Sequence, residues 1–150
     1  MRTQWLVLVV LGASAALSVP RMPLAAPAGG GSLRAAVGKP VTVPIGSAAE
    51  RMSSGSRIVV TVNCYQPAMD GSVSTVVSAK CGDGVRELGR FAVFPDSPFT
   101  ASTDADVQSF GIPLPDDPAC RQFTTVTVGL EPQTGKGLGA SISIGGANIE

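Results

Sequence analysis

The stretch "RIVVTVNCYQPAMDGSVSTVVSAKC", residues 57–81, decides the fold, because it holds two alternating apolar runs that each close on a cysteine. In the first run Ile58, Val60, Val62 and Cys64 fall on one face, and Val59, Thr61 and Asn63 on the other. The second run sets Val73, Thr75, Val77, Ala79 and Cys81 together in the same way. A period of two with β-branched residues predicts half-buried strands. "QPAMDG" between them is a turn signal, so the two runs are expected to form a hairpin.

Working outward, "CGDGV" predicts a second tight turn, and "VRELGRFAVF" a third strand continuing an antiparallel meander. Upstream, "KPVTVPIG" alternates at Val41, Val43 and Ile45, and Pro44 suits an edge strand. Downstream, residues 95–119 are polar and proline-broken, a loop region holding one short strand around Phe110 to Leu114. "FTTVTVGL" and "LGASISIG" predict two closing strands joined across "EPQTGKG". Nothing along the chain carries a helical period. The expected class is all-β, an immunoglobulin-like or related β-sandwich of about six to seven antiparallel strands.

The hairpin fixes an expectation for the cysteines. Cys64 would sit at its turn end, with Cys81 eight residues along the ladder, roughly 25 Å away. A disulfide needs Cα atoms within about 7 Å. Cys64 and Cys81 are therefore not expected to pair with each other, and Cys64–Cys120 is the expected bond. That leaves Cys81 unpaired, either as a small buried side chain or as the link in a disulfide-bonded dimer.

The amino terminus, "MRTQWLVLVVLGASAALS", has a positive Arg2, an apolar run from Trp5 to Leu17 and then small residues. That order is the order of a secretory signal peptide, and the run is short of the roughly 20 residues of a membrane span. Residues 1–28 are read as signal peptide and low-complexity lead, residues 29–40 as a flexible linker, and residues 41–150 as a single sandwich domain. Cleavage fits Ala13-Ser14-Ala15 or Ala26-Pro27-Ala28. The expected location is outside the cell or in the periplasm, with no stable membrane insertion after cleavage.

Composition narrows the chemistry. The chain has no histidine, which removes Ser-His-Asp and Cys-His catalysis and the usual zinc sites. Of its 11 basic residues two, Arg2 and Arg21, lie in the first 28, so residues 29–150 carry nine basic against 11 acidic groups. Without a lysine-arginine cluster, no nucleic-acid partner is expected. Asp104, Asp106, Asp116 and Asp117 are the weak candidates for a calcium-type oxygen site, although no full calcium loop matches. Carboxylate-only catalysis would draw on those four with Asp70, Asp83, Glu87 and Asp96, and nothing selects a pair among them. No cofactor is expected, and the glycines of "GLGASISIGG" open no helix that could cradle a phosphate.

Aromatic residues are few beyond the lead. Phe91, Phe94 and Phe123 fall in strand patterns and are expected in the core, while Phe99 and Phe110 flank the long loop. The closing order "FGIPLP", a cysteine, "TTVTVGLEP" and "LGASISIG" is similar, in alternation alone, to the last strands of exported fimbrial subunits. Alternation alone identifies no family and carries no residue role. The expected function is a non-catalytic exported domain that binds another exported or surface protein, or serves as a surface or structural module. It would use the 95–119 loop and the edge strand near Val41 to Ile45. The alternatives are a small-ligand or calcium-binding module built on that loop, and a carboxylate-only enzyme.

Overall fold

A computed structural model describes residues 33–46 and 55–150 of the chain. The proposed signal segment, residues 1–28, lies outside them. Nine strands follow in order among the described residues: β1 (Arg34–Ala36), β2 (Val41–Pro44), β3 (Arg57–Gln66), β4 (Val73–Cys81), β5 (Gly84–Phe91), β6 (Phe99–Thr100), β7 (Gln108–Pro113), β8 (Thr125–Pro132) and β9 (Ser141–Ile149). Two short 3-10 turns, Asp104–Asp106 and Pro118–Cys120, interrupt them.

The strands make two antiparallel sheets. One runs β1-β9-β3, with β6 and β7 both on the far side of β3; the other runs β2-β8-β4-β5. The alternation of each long run sends its branched side chains inward. Ile58, Val60, Val62 and Ile142 from the first sheet meet Val43, Val77, Val126 and Val128 from the second, all fully buried. Each such side chain contributes about 1.5–3 kcal/mol by leaving water, so this interlayer is what holds the sheets together.

The hairpin expected from residues 57–81 does not form. β3 and β4 belong to different sheets, and the "QPAMDG" segment arches from one layer to the other. Only β4 and β5 form the expected antiparallel neighbours, closed through Gly82 and Asp83 with Cys81 opposite Gly84. Strand number also exceeds the expected six to seven, because β1 and β6 have only three and two residues and leave no alternation to read. Part of the segment read as a linker is sheet: Arg34 pairs with Ser143 and Ala36 with Ser141. A turn at Val37–Gly38 then hands the chain to β2 in the opposite sheet, where Pro44 sits on the predicted edge.

A paired irregularity in β3 and β9 moves Cys64. Thr61 is opposite Gly146, Val62 opposite Ile144 and Cys64 opposite Ser143, so Asn63 and Gly145 are extra residues in their ladders. Such bulges reverse the alternation beyond them. Tyr65 is therefore buried in place of Cys64, and the Asn63 amide lies over Gly145, where a Cβ would be 2.5 Å from its Oδ1.

The actual disulfide is Cys81–Cys120, with Cα atoms 4.4 Å apart, and Cys64 is free. The expected Cys64–Cys120 bond and unpaired Cys81 are both overturned, for a topological reason. The end of β4 lies beside the 3-10 turn holding Cys120, while the bulge turns Cys64 away from the core.

At the other long edge β5 closes onto β7. Phe91 and Phe110 stack with centroids 4.1 Å apart and planes 11° from parallel. Gly89 is needed there, since a Cβ would come within 2.7 Å of Ile112 Cγ2. Phe123 is buried as expected, but Phe94 is 84% exposed. Val93 takes the inward position after β5, which leaves Phe94 outward ahead of Pro95.

Candidate functional site

Register brings four connections to one end of the sandwich. Gln66 opposite Ser141, Val73 opposite Pro132 and Thr75 opposite Phe91 place residues 67–72, 92–98 and 133–140 there, with the 37–40 turn alongside. Of the four exposed large apolar side chains among the described residues, Met69, Phe94 and Leu138 sit at this end and Val85 is at the other.

Two of the connections are bonded into one unit. The Asp70 carboxylate accepts the backbone N–H of Lys136 at 3.0 Å and of Leu138 at 2.6 Å. The Met69 N–H donates to the Leu138 carbonyl at 2.8 Å, and the Gln133 N–H to the Ser72 carbonyl at 2.8 Å. The Ser72 N–H donates to Thr134 Oγ1 at 3.0 Å. Gly71 (φ +85°) and Gly135 (φ +66°) pass back to back, and a Cβ on either would strike the other loop's backbone at the Thr134 or Asp70 carbonyl. Left-handed backbone at these points favours glycine.

With its polar backbone groups committed inward, the unit displays side chains outward. Met69 is 82% and Leu138 54% exposed. A groove of about 400 Å³ runs beside Leu138, lined also by Arg34, Val37, Lys136 and Ala140. A fixed backbone carrying exposed apolar side chains suits binding, because little conformational freedom is lost when a partner arrives.

The residues singled out in the sequence fall elsewhere. Asp106 accepts the amides and hydroxyls of Ser102 and Thr103, and those bonds hold its carboxyl below the usual carboxylate range. Asp117 accepts the Ala119 N–H and pairs with Arg86, which lowers it likewise. Asp104 and Asp106 precede β7, while Asp116 and Asp117 follow it, so a six-residue strand of about 20 Å separates the pairs. No cluster of three or more potential metal-ligating side chains exists among the described residues. The 95–119 region is not one loop, since β6, β7 and two 3-10 turns divide it.

Cys64 is half-buried on the outside of β3, where the Thr100 hydroxyl donates to its sulfur at 3.4 Å. Tyr65 donates its hydroxyl to Asp96 at 2.9 Å, and burial, reinforced by that carboxylate, pushes its phenol up to about 12. At the disulfide end Arg86 Nη1 lies 3.9 Å from Cys120 Sγ.

The sequence reading passed over Met69, Lys136 and Leu138, and weighed Asp70 only as one of eight carboxylates. One signal was present: glycines at 135, 137 and 139 bracket Lys136 and Leu138, a spacing that a connection needs only when its backbone turns repeatedly through positive φ. Architecture defines the class as a two-sheet antiparallel β-sandwich presenting a braced loop pair at one end. Comparison with protein-family models, with curated proteins and with solved structures finds no match.

Proposed function

We propose that the chain is an exported, non-catalytic module that binds another protein through the loop end formed by residues 67–72, 92–98 and 133–140. The observation that carries this reading is the Asp70 bridge, which fixes two loops while leaving Met69 and Leu138 exposed. Exposed apolar groups on a rigid frame are the usual composition of a contact patch. Export is supported by the signal-type amino terminus and by a cysteine pair in bonding geometry, which suits an oxidising compartment. A binding rather than catalytic role is supported by the lack of any histidine and by carboxylates committed to their own turns.

The test is a photocrosslinking amino acid placed at position 138 and, as control, at Val85, in cells of the source organism. A defined adduct from 138 that disappears with Met69→Asp supports the reading. Equal adducts from both positions, or adducts indifferent to Met69→Asp, sink it.

A further inference from the structure

We infer that the groove beside Leu138 takes an acidic, apolar peptide segment of the partner protein. This rests on the loop-end reading above and specifies the partner's chemistry. The inference comes from unbalanced charge. Arg57, Arg86 and Arg90 each pair with a carboxylate. Arg34, Lys39, Lys80, Arg121 and Lys136 have no carboxylate partner among the described residues; Lys80 and Arg121 lie toward the disulfide end, and the other three gather at this corner.

Their placement follows from the strands. Arg34 and Lys136 line the groove itself. Lys39 is brought beside it by the turn in which Ala36 and Lys39 exchange backbone hydrogen bonds. Val37 packs on this side too, where a Cβ on Gly137 would meet its Cγ2 at 2.9 Å. The described carboxylates at this end are already used: Asp70 by two backbone amides, Asp96 by the Tyr65 hydroxyl and Glu131 by Arg90. Arg34 Nη2 donates to Ser141 Oγ at 2.7 Å. Arg34 and Lys136 therefore line, and Lys39 adjoins, a partly apolar groove that no free carboxylate among the described residues neutralises. A ligand that satisfies both brings carboxylates within a few residues of an aliphatic or aromatic anchor.

Charge also excludes the nearest alternative occupant. The segment leading into β1, residues 1–32, carries Arg2 and Arg21 and no acidic residue, so it is of the wrong sign to fill the groove.

The experiment selects from a random dodecapeptide library displayed on phage, against the chain recovered after export. Selected peptides are then synthesised and titrated against wild type, Lys39→Glu/Lys136→Glu and Met69→Asp/Leu138→Asp. Both double variants change exposed side chains, and their melting curves establish that they fold. The expected result is peptides with two or more Asp or Glu close to Leu, Ile, Met or Phe, whose affinity falls about tenfold or more on charge reversal. The same affinity should fall with added salt. Acid-free peptides blocked by the Met69/Leu138 change but indifferent to charge reversal overturn this inference and leave the protein-binding reading standing. Peptides that bind the Met69→Asp/Leu138→Asp variant unchanged overturn both. A library returning nothing also overturns the inference, and flotation of the chain with phosphatidylglycerol vesicles would then assign the cations to a lipid headgroup.

Discussion

Reduction of Cys81–Cys120 should weaken the domain by an amount the topology sets. The bond joins residues 39 apart in sequence. For a loop of that size the chain-entropy relation gives about 4 kcal/mol. With a urea slope near 2 kcal/mol/M, that is a fall of about 2 M in midpoint. The measurement is best made in a Cys64→Ser background, so that the free thiol cannot exchange into the bond. Oxidised protein is unfolded in urea with and without a reductant and followed by circular dichroism, alongside mass mapping of alkylated peptides. The oxidised sample should show Cys81 linked to Cys120, and in wild type Cys64 should be the thiol that alkylates. A reductant-insensitive midpoint, or a crosslink involving Cys64, would refute the arrangement of β3 and β4 in separate sheets from which the argument starts.

Other outcomes follow from the same contacts. Gly71→Ala should cost about 2–3 kcal/mol, because it adds both left-handed strain and a collision with Thr134, whereas Gly38→Ala, with nothing within 4 Å of the added Cβ, should cost about 1 kcal/mol; thermal melts of the two variants compare them. Tyr65 is the chain's sole tyrosine, so tyrosinate absorbance should report one phenol ionising near pH 12. Its folded-state value is raised, so its contribution to stability is intact below about pH 10, the unfolded value, and is lost as pH rises toward 12. Asp96→Asn should bring the titration down. Asp106 behaves with the opposite sign: its carboxyl is lowered, so the bonds it accepts persist above its unfolded value of about 4 and are lost as pH falls through the folded one. The amide resonances of Ser102 and Thr103 should shift in that acid range, and Asp106→Asn should remove the inflection.

Inward and outward positions were largely legible in the sequence, and neighbours only for β4 and β5, where the Asp-Gly turn is tight. Val73, Thr75, Val77 and Ala79 alternate as read, and Pro44 marks an edge. Alternation records which face of its own sheet a side chain takes, and it is silent on which strand lies beside it. "QPAMDG" serves equally well as a hairpin turn or an arch between layers, so the hairpin and the Cys64–Cys120 pairing were lost together. The bulge was out of reach for a different reason, since Asn63 is an extra residue only in relation to Gly145, 82 positions away. At the candidate site the glycines were visible, but their purpose depends on Asp70, which belongs to a loop more than 60 residues earlier. The aspartates of 95–119 drew attention by number, although carboxylates beside turns commonly serve the turn itself.

The Asn63–Gly145 irregularity falls where β3 changes neighbours. β7 accompanies β3 from Arg57 to Val62, and β6 takes over at Cys64. The first sheet is thus creased crosswise into two blocks. The lower block contains Ile58, Val60 and Val62, deep in the interlayer. The upper block holds Cys64 to Gln66, the start of β9 and β1, and it carries the braced loops. The same loops are anchored on their other side by the unbroken β4–β8 ladder, Val73 opposite Pro132, so one sheet supplies a joint and the other a fixed post. Amide exchange should reveal the joint directly, with slow protons below it and a faster, separately opening set above.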